Sequence, residues 1–353
     1  LTTFEMPPLP YGATHALSPL LMDLGPMRAR LAHLQTESPA WLSPDALESM
    51  IDWQLLRNPQ ATDRQLISQH IRALAHWNDL AIRLLKPHAV LTCNKLDIHP
   101  ALGWLAAKHY RVLEGMVERS PFDDLWFEPE GLFSESRIWR EVPDARTLDC
   151  PEYRAVGNKV VASLRSNPHG FRRDQRGDAF APQVRNKLKK PIFLLPMDNV
   201  LWTGWMPTGH PQGRVDYYFE MSPQEMITHL AELVASLGGS LILKRHPACT
   251  AIPAQSIPQE VIQTDADIGQ LLELCDVVIC FNTKVAFAAI ASHLPTVTLA
   301  PNPVAAANVT YHTDKIADIP DALTAAMMHR DLSKKLDRFI PFAGWLKVQY
   351  FLS

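Results

Sequence analysis

Residues 222–247 read SPQEMITHLAELVASLGGSLILKRHP. Ser222 is a helix cap, Pro223 suits the first helical turn, and Glu225, three residues after the cap, completes a capping box. Helical spacing then runs to Leu237 and stops at Gly238-Gly239. Ser240-Leu-Ile-Leu-Lys-Arg245 follows as an apolar run, the pattern of a strand buried in a parallel sheet. His246-Pro247 marks its C-terminal edge. A capped helix leading directly into a buried strand is half of a βαβ unit, and the rest of the chain repeats that rhythm.

Downstream, Asp267–Leu274 reads as a short helix and Asp276-Val-Val-Ile-Cys-Phe281 as a strand. The turn Asn282-Thr283-Lys284 opens a helix of small residues from Val285 to Ser292, and Pro295–Leu299 is a strand ending at Pro301-Asn302. Upstream, Pro191–Pro196 is a strand that ends towards Asp198. Residues 43–60 and 63–85 have helical periodicity, His88–Cys93 is a short strand ending at Asn94, 100–110 is a helix, and Arg111–Val117 is a strand ending at Glu118. Residues 151–165 are helical again. The spacing predicts an α/β protein with two Rossmann-like domains facing across a cleft, residues 1–165 and 191–353. They are joined by a basic linker, 166–190, rich in Arg and Lys and punctuated by Pro and Gly. It reads either as a solvated connection or as a cationic lip that steers an anionic ligand.

Composition narrows the functional classes. The chain has 353 residues, 47% of them apolar, and a formal charge of −3. That is enough for two domains with real cores, and it offers no cationic excess for holding nucleic acid. No run of 18 apolar residues spans a bilayer. Leu1–Leu20, broken by Pro7, Pro8, Pro10 and Pro19, lacks the layout of a signal peptide. The five cysteines, Cys93, Cys150, Cys249, Cys275 and Cys280, are scattered and read as reduced thiols. No histidine pair or carboxylate pair has metal-ligand spacing, so no metal and no resident cofactor are expected, and the expected location is the cytoplasm.

In open α/β sheets ligands bind beyond the carboxyl ends of the strands. Lys244, Arg245 and His246 lie at such an end and offer positive charge and a tunable donor suited to a phosphate. Asn282, Thr283 and Lys284 begin a helix, where N–H groups attract an anion, although an ordinary helix cap uses the same residues. Asn302 ends the following strand. Asp198 places a carboxylate at another strand end and reads equally as a nucleophile, a base or a loop-closing acceptor. Glu118 holds the matching position in the first half, with Glu128 and Glu130 nearby and Asn94 at the neighbouring strand end. Two carboxylates flanking a sugar carbon would serve glycosyl chemistry.

These pieces, taken in order, resemble the capsule-polysaccharide synthesis family, which includes bacterial β-Kdo transferases that use CMP-Kdo. The likeness rests on Lys86-Pro-His-Ala-Val-Leu-Thr-Cys-Asn94 and on Val117-Glu-Arg-Ser-Pro-Phe122 with Phe127-Glu-Pro-Glu-Gly131. It continues with Leu243-Lys-Arg-His-Pro247, and with Cys280-Phe-Asn-Thr-Lys284 followed by His293-Leu-Pro-Thr-Val297. The resemblance spans about residues 80–310. Where the family's turn carries serines, this chain has Asn282-Thr283. The resemblance implies a GT-B-like fold, a metal-independent retaining transfer of Kdo from CMP-Kdo, and a glycan or glycolipid acceptor in surface polysaccharide synthesis. By the same likeness Asp198 is the nucleophile, Glu118 the acceptor-side acid/base, Lys244 and His246 hold the phosphate or the Kdo carboxylate, and Asn282 with Thr283 binds the nucleotide. Peripheral association with the inner face of the inner membrane, or with an assembly complex, belongs to that expectation, while the apolar end Trp345–Ser353 reads as continuing into a further module beyond residue 353. A transferase using a UDP- or CDP-linked sugar or CDP-glycerol, and a non-catalytic glycan-binding scaffold, are the alternatives.

Overall fold

The capping box, the Gly-Gly stop and the apolar run of residues 222–244 all form as their pattern dictates. A computed structural model describes residues 37–352 apart from 58–62, 93–97, 123, 129–135, 169–179, 199–218 and 247–253. The main elements of the first half are α1 (Pro44–Arg57), α2 (Arg64–Leu85), β1 (Ala89–Thr92), α3 (Ile98–Tyr110), β2 (Leu113–Arg119) and β3 (Leu125–Glu128). Next come α4 (Pro151–Ser166), β4 (Ile192–Pro196), α5 (Pro223–Ser236), β5 (Ser240–Lys244), β6 (Ile262–Thr264), α6 (Ile268–Leu274) and β7 (Val277–Cys280). The chain finishes with α7 (Val285–Ala291), β8 (Thr296–Thr298), α8 (Pro303–Ala306), β9 (Tyr311–His312), α9 (Ile319–Met327), α10 (Leu332–Gln349) and β10 (Phe351–Leu352).

In α5 the Ser222 hydroxyl accepts from the Glu225 N–H while the Glu225 carboxylate accepts from the Ser222 N–H. Its buried positions, Met226, Ile227, Leu230, Ala231 and Val234, recur at helical spacing and face the sheet. Gly238 has φ +76°, the left-handed conformation that ends the helix. Gly239 passes so near the next strand that a Cβ there would lie 2.3 Å from the Pro191 carbonyl oxygen.

The second half contains a six-stranded sheet, all parallel, in the order β6-β5-β4-β7-β8-β9. Counted from β4, that order is 3-2-1-4-5-6, the Rossmann arrangement. Alternate residues feed two cores. Ile192, Leu194, Ile242, Val278 and Cys280 face one layer of helices, and Phe193, Leu195, Leu241, Leu243, Val277 and Ile279 face the other. The first half contains a smaller sheet, ordered β1-β2-β3-β10. Its β1-α3-β2 portion is the expected parallel βαβ unit, whereas β3 and β10 add antiparallel strands.

The α/β expectation holds, and packing crosses the expected domain boundaries at both ends. Helix α4, assigned to the first half, packs Val160, Val161 and Leu164 into the core that contains Leu194, Val278 and Ala288 of the second. Conversely, the chain end assigned to 191–353 returns to the first sheet: α10 lies against α4, and β10 pairs with β3. Two glycines permit this. A Cβ on Gly157 would sit 1.8 Å from the Ile340 carbonyl oxygen, and one on Gly344 would sit 1.9 Å from that of Tyr153, so the two helix backbones touch. The Lys347 ammonium then bonds both carboxylate oxygens of buried Asp124 in the β2–β3 turn, at 2.5 Å each. Helix α1 adds another seam by burying Trp53 among the core residues of the second sheet. Within the basic linker, 169–179 lie outside the described residues, and Lys190 pairs with Asp276 at 2.9 Å.

Candidate functional site

Register brings the candidate residues of the second half to one edge. Pro196 of β4 is opposite Lys244 of β5, so Asp198 and His246 each lie two residues past the same rung of the sheet. The pairing of Leu194 with Val278 carries forward to Asp198 beside Asn282, and Asp198 Oδ2 accepts the Asn282 N–H at 2.8 Å. β4 and β7 are the strands between which the chain order reverses. The bond therefore joins the two strand ends at the topological switch point, the place beyond which ligands bind in sheets of this kind.

Asp198 is only 5% exposed. Burial raises its carboxyl from the ordinary 3.8 to about 7, against the opposing pull of the Asn282 N–H. Such a group is half ionised near neutral pH and can give, take or share charge. Cys280, on β7 beside it, is held well above the usual thiol range by burial and by the Asp198 charge, so it remains a neutral thiol.

The other residues of this edge divide between the crevice and the scaffold. Lys244 turns towards the loop after β6, where its ammonium donates to the carbonyls of Ala266 at 2.8 Å and Asp265 at 3.4 Å. Burial lowers its pKa, opposed by Asp265 and Asp267. Arg245 and His246 are half-buried beyond it, and Pro247 lies outside the described residues. The Thr283 hydroxyl accepts from the Val285 N–H in the turn before α7, and Lys284 is half-buried in the same turn. Asn302 is buried with its amide engaged at both ends. Its Nδ2 donates to the carbonyls of Phe281 and Ala300, and its Oδ1 accepts the Ala305 N–H at the start of α8.

The first half approaches through the β2–β3 turn. Phe122 stands edge-on to Phe287 in the first turn of α7, with ring centroids 5.4 Å apart, so the C-terminal end of β2 faces the helix that follows Asn282. Glu118 lies in β2 opposite Trp126, and its side chain is outside the described residues, as are Asn94 and Glu130. Glu128 turns inward. It accepts from Ser136 Oγ at 2.7 Å, from the Arg137 N–H at 2.9 Å and from Trp126 Nε1 at 3.4 Å, which binds β3 to the start of the next turn. A cavity of about 180 Å³ lies at the seam between Phe122, Val160, Leu164 and Lys347, and no candidate site residue lines it.

Sequence reasoning missed Trp53 and the Asn302 link to the Phe281 carbonyl. Asn302, read from the sequence as a strand end, also caps α8, with Pro303 in its first turn. Among the described residues no group of three or more His, Cys, Asp or Glu could hold a metal, and no helix is long and apolar enough to cross a membrane.

The fold class is thus α/β, with a Rossmann-ordered sheet whose switch point holds a buried carboxylate. No family model and no curated protein matches the chain. Among solved structures it is similar to the β-Kdo 2,4-transferase KpsC of Thermosulfurimonas dismutans, at 12% identity and a TM-score of 0.46, over 72% of this chain and 78% of that one. It is also similar to the UDP-GlcNAc 2-epimerase of Neisseria meningitidis bound to UDP-GlcNAc, at 10% identity and a TM-score of 0.38, over 85% and 88% of the two chains. The glycosyltransferase SnogD of Streptomyces nogalater gives 13% identity and a TM-score of 0.34, over 82% and 79%.

Proposed function

We infer that this chain is a glycosyltransferase that binds a nucleotide-activated sugar at the switch point of its second sheet. The donor assigned is CMP-Kdo, and the acceptor is a glycan or glycolipid of a bacterial surface polysaccharide. One observation carries the reading: a carboxyl poised near neutrality, Asp198, lies on the same sheet edge as Arg245 and His246 and is tied to the turn that opens α7.

The chemistry follows from that arrangement. An ionised Asp198 oxygen forms a bond to the anomeric carbon as the bond to the phosphate oxygen breaks, and CMP leaves with the electron pair. The acceptor hydroxyl then attacks the same carbon, its proton passes to Glu118, and the Asp198 carboxylate departs. Two inversions give retention. Arg245 and His246 stabilise the leaving phosphate. Lys244, already engaged by two carbonyls, keeps the β5 end in place rather than meeting the donor.

Asp198→Asn is expected to lower transfer from CMP-Kdo by a factor on the order of 10³ or more. The wild-type enzyme should show a Kdo adduct by intact-mass measurement. Near-normal turnover in the variant would remove Asp198 from the chemistry. In a thermal-shift series CMP should stabilise the chain more than CDP or UDP; a series led by UDP or CDP would establish a different donor.

A further inference from the structure

The peptide unit joining Phe281 to Asn282 is bonded at both ends. Its carbonyl accepts from Asn302 Nδ2 at 2.8 Å, and its N–H donates to Asp198 Oδ2 at 2.8 Å. Asn302, Asn282 and Asp198 are all buried, and they stand past the ends of β8, β7 and β4 respectively. A donor at the carbonyl pulls electron density away from the amide nitrogen and makes its N–H a stronger donor, an effect that grows in a low-dielectric interior. Asn302 is itself fixed, because its Oδ1 caps α8 and its Nδ2 also reaches the Ala300 carbonyl.

We propose that Asn302 is a positioning residue for Asp198, acting through the Phe281–Asn282 peptide to hold and polarise the N–H that bonds the Asp198 carboxylate. This goes beyond a helix cap. Capping needs only Oδ1, whereas the amide nitrogen is directed at the peptide that touches Asp198. The inference deepens the functional reading above and rests on it for its significance, but not for its test.

The test is a double-mutant cycle in the full chain, with unfolding stability measured across pH for wild type, Asp198→Asn, Asn302→Ala and the pair. Cys280 on β7, Lys244 and His246 at the end of β5, and Lys284 before α7 are the titratable groups on the neighbouring strand ends. Each is present in all four proteins, so the part of its contribution that does not depend on residue 198 cancels in the difference between Asp and Asn there. Comparing that difference with and without Asn302→Ala reports how far the Asp198 midpoint moves. The midpoint should move upward in the Asn302→Ala background by about half a pH unit or more, roughly a threefold change in proton affinity. A purely structural Asn302 would lower stability equally at every pH and leave the midpoint in place, which overturns the proposal. Should Asn302→Ala not fold, Asn302→Ser keeps a hydroxyl that can cap α8, on a shorter side chain with one donor hydrogen in place of two. It should give a smaller upward shift, and an unmoved midpoint there also overturns the proposal. Because no sugar is involved, a moved midpoint with no transferase activity would sink the functional reading and leave the relay standing.

Discussion

Glu128 and Asp198 are both buried carboxyls, the first at the end of β3 in the mixed sheet and the second past β4 in the parallel one, and they are held in opposite ways. Glu128 is surrounded by donors: Ser136 Oγ, the Arg137 N–H and Trp126 Nε1. Asp198 has one donor among the described residues, the Asn282 N–H. Burial raises both from their ordinary values. At Glu128 several hydrogen bonds pull the other way, while at Asp198 a single one does. A carboxylate that satisfies most of its lone pairs internally is a brace. One with a single donor among the described residues, at the switch point of a parallel sheet, fits the catalytic role proposed for Asp198.

The largest effect expected from this contrast is at Asp198. Its carboxyl rises from 3.8 in an ordinary setting to about 7 in the folded chain. Below about pH 4 both folded and unfolded chains hold it neutral, so no cost arises. As pH rises towards about 7 the unfolded chain releases the proton and the native one keeps it, so stability falls through this window and the penalty is complete above it. Asp198→Asn keeps an oxygen that accepts the Asn282 N–H and carries no charge. It should therefore become more stable than wild type as pH rises, by up to about 4 kcal/mol above neutrality, as read by urea unfolding at several pH values. A difference that stays flat with pH would show that the carboxyl is not desolvated, and the contrast with Glu128 would collapse.

The opposite sign is expected at Glu128. Removing this side chain leaves the Ser136 hydroxyl, the Arg137 N–H and the Trp126 indole without their acceptor and opens a cavity under β3. Glu128→Ala should cost about 3 kcal/mol by denaturant unfolding. A neutral result would mean that the network does not hold the 136–138 turn.

The sheets also differ in how far they could be read beforehand. The 222–244 stretch announced itself because cap, turn and strand signals agreed over one continuous run. Asp198, His246 and Asn282 were placed on one edge by the rule that ligands lie beyond strand ends, and the register of β4, β5 and β7 puts them there. The return of α10 was not legible. Pro341 interrupts its pattern, and its true partner, Gly157, lies far back in the chain. Strands β6, β9 and β10 have two or three residues each, too few to show a period of two. Helix α4 was recognised as a helix, but its packing against both Trp126 and Leu194 was not, because periodicity says which face is apolar and not what covers it. Lys244 looked like a phosphate ligand by position, yet its length lets it turn to two nearby carbonyls.

The smallest expected effect tests whether the mixed sheet is as loosely covered as it looks. Leu113 of β2 is 62% exposed and Leu91 of β1 is 52% exposed, whereas Leu194 and Leu195 of β4 are fully buried. Helix α3 packs close beneath β1, where Gly103 approaches Val90 and Thr92, but among the described residues the face bearing Leu91 and Leu113 has no comparable layer. A side chain that water already touches loses little transfer energy on truncation, and it leaves no cavity because nothing encloses it. Leu113→Ala should therefore change unfolding stability by less than about 0.5 kcal/mol. A loss of about 2 kcal/mol or more, the range of an enclosed leucine, would mean that this face is covered in solution. Dependence of that loss on protein concentration would attribute the cover to a second copy of the chain, and independence would attribute it to the chain itself.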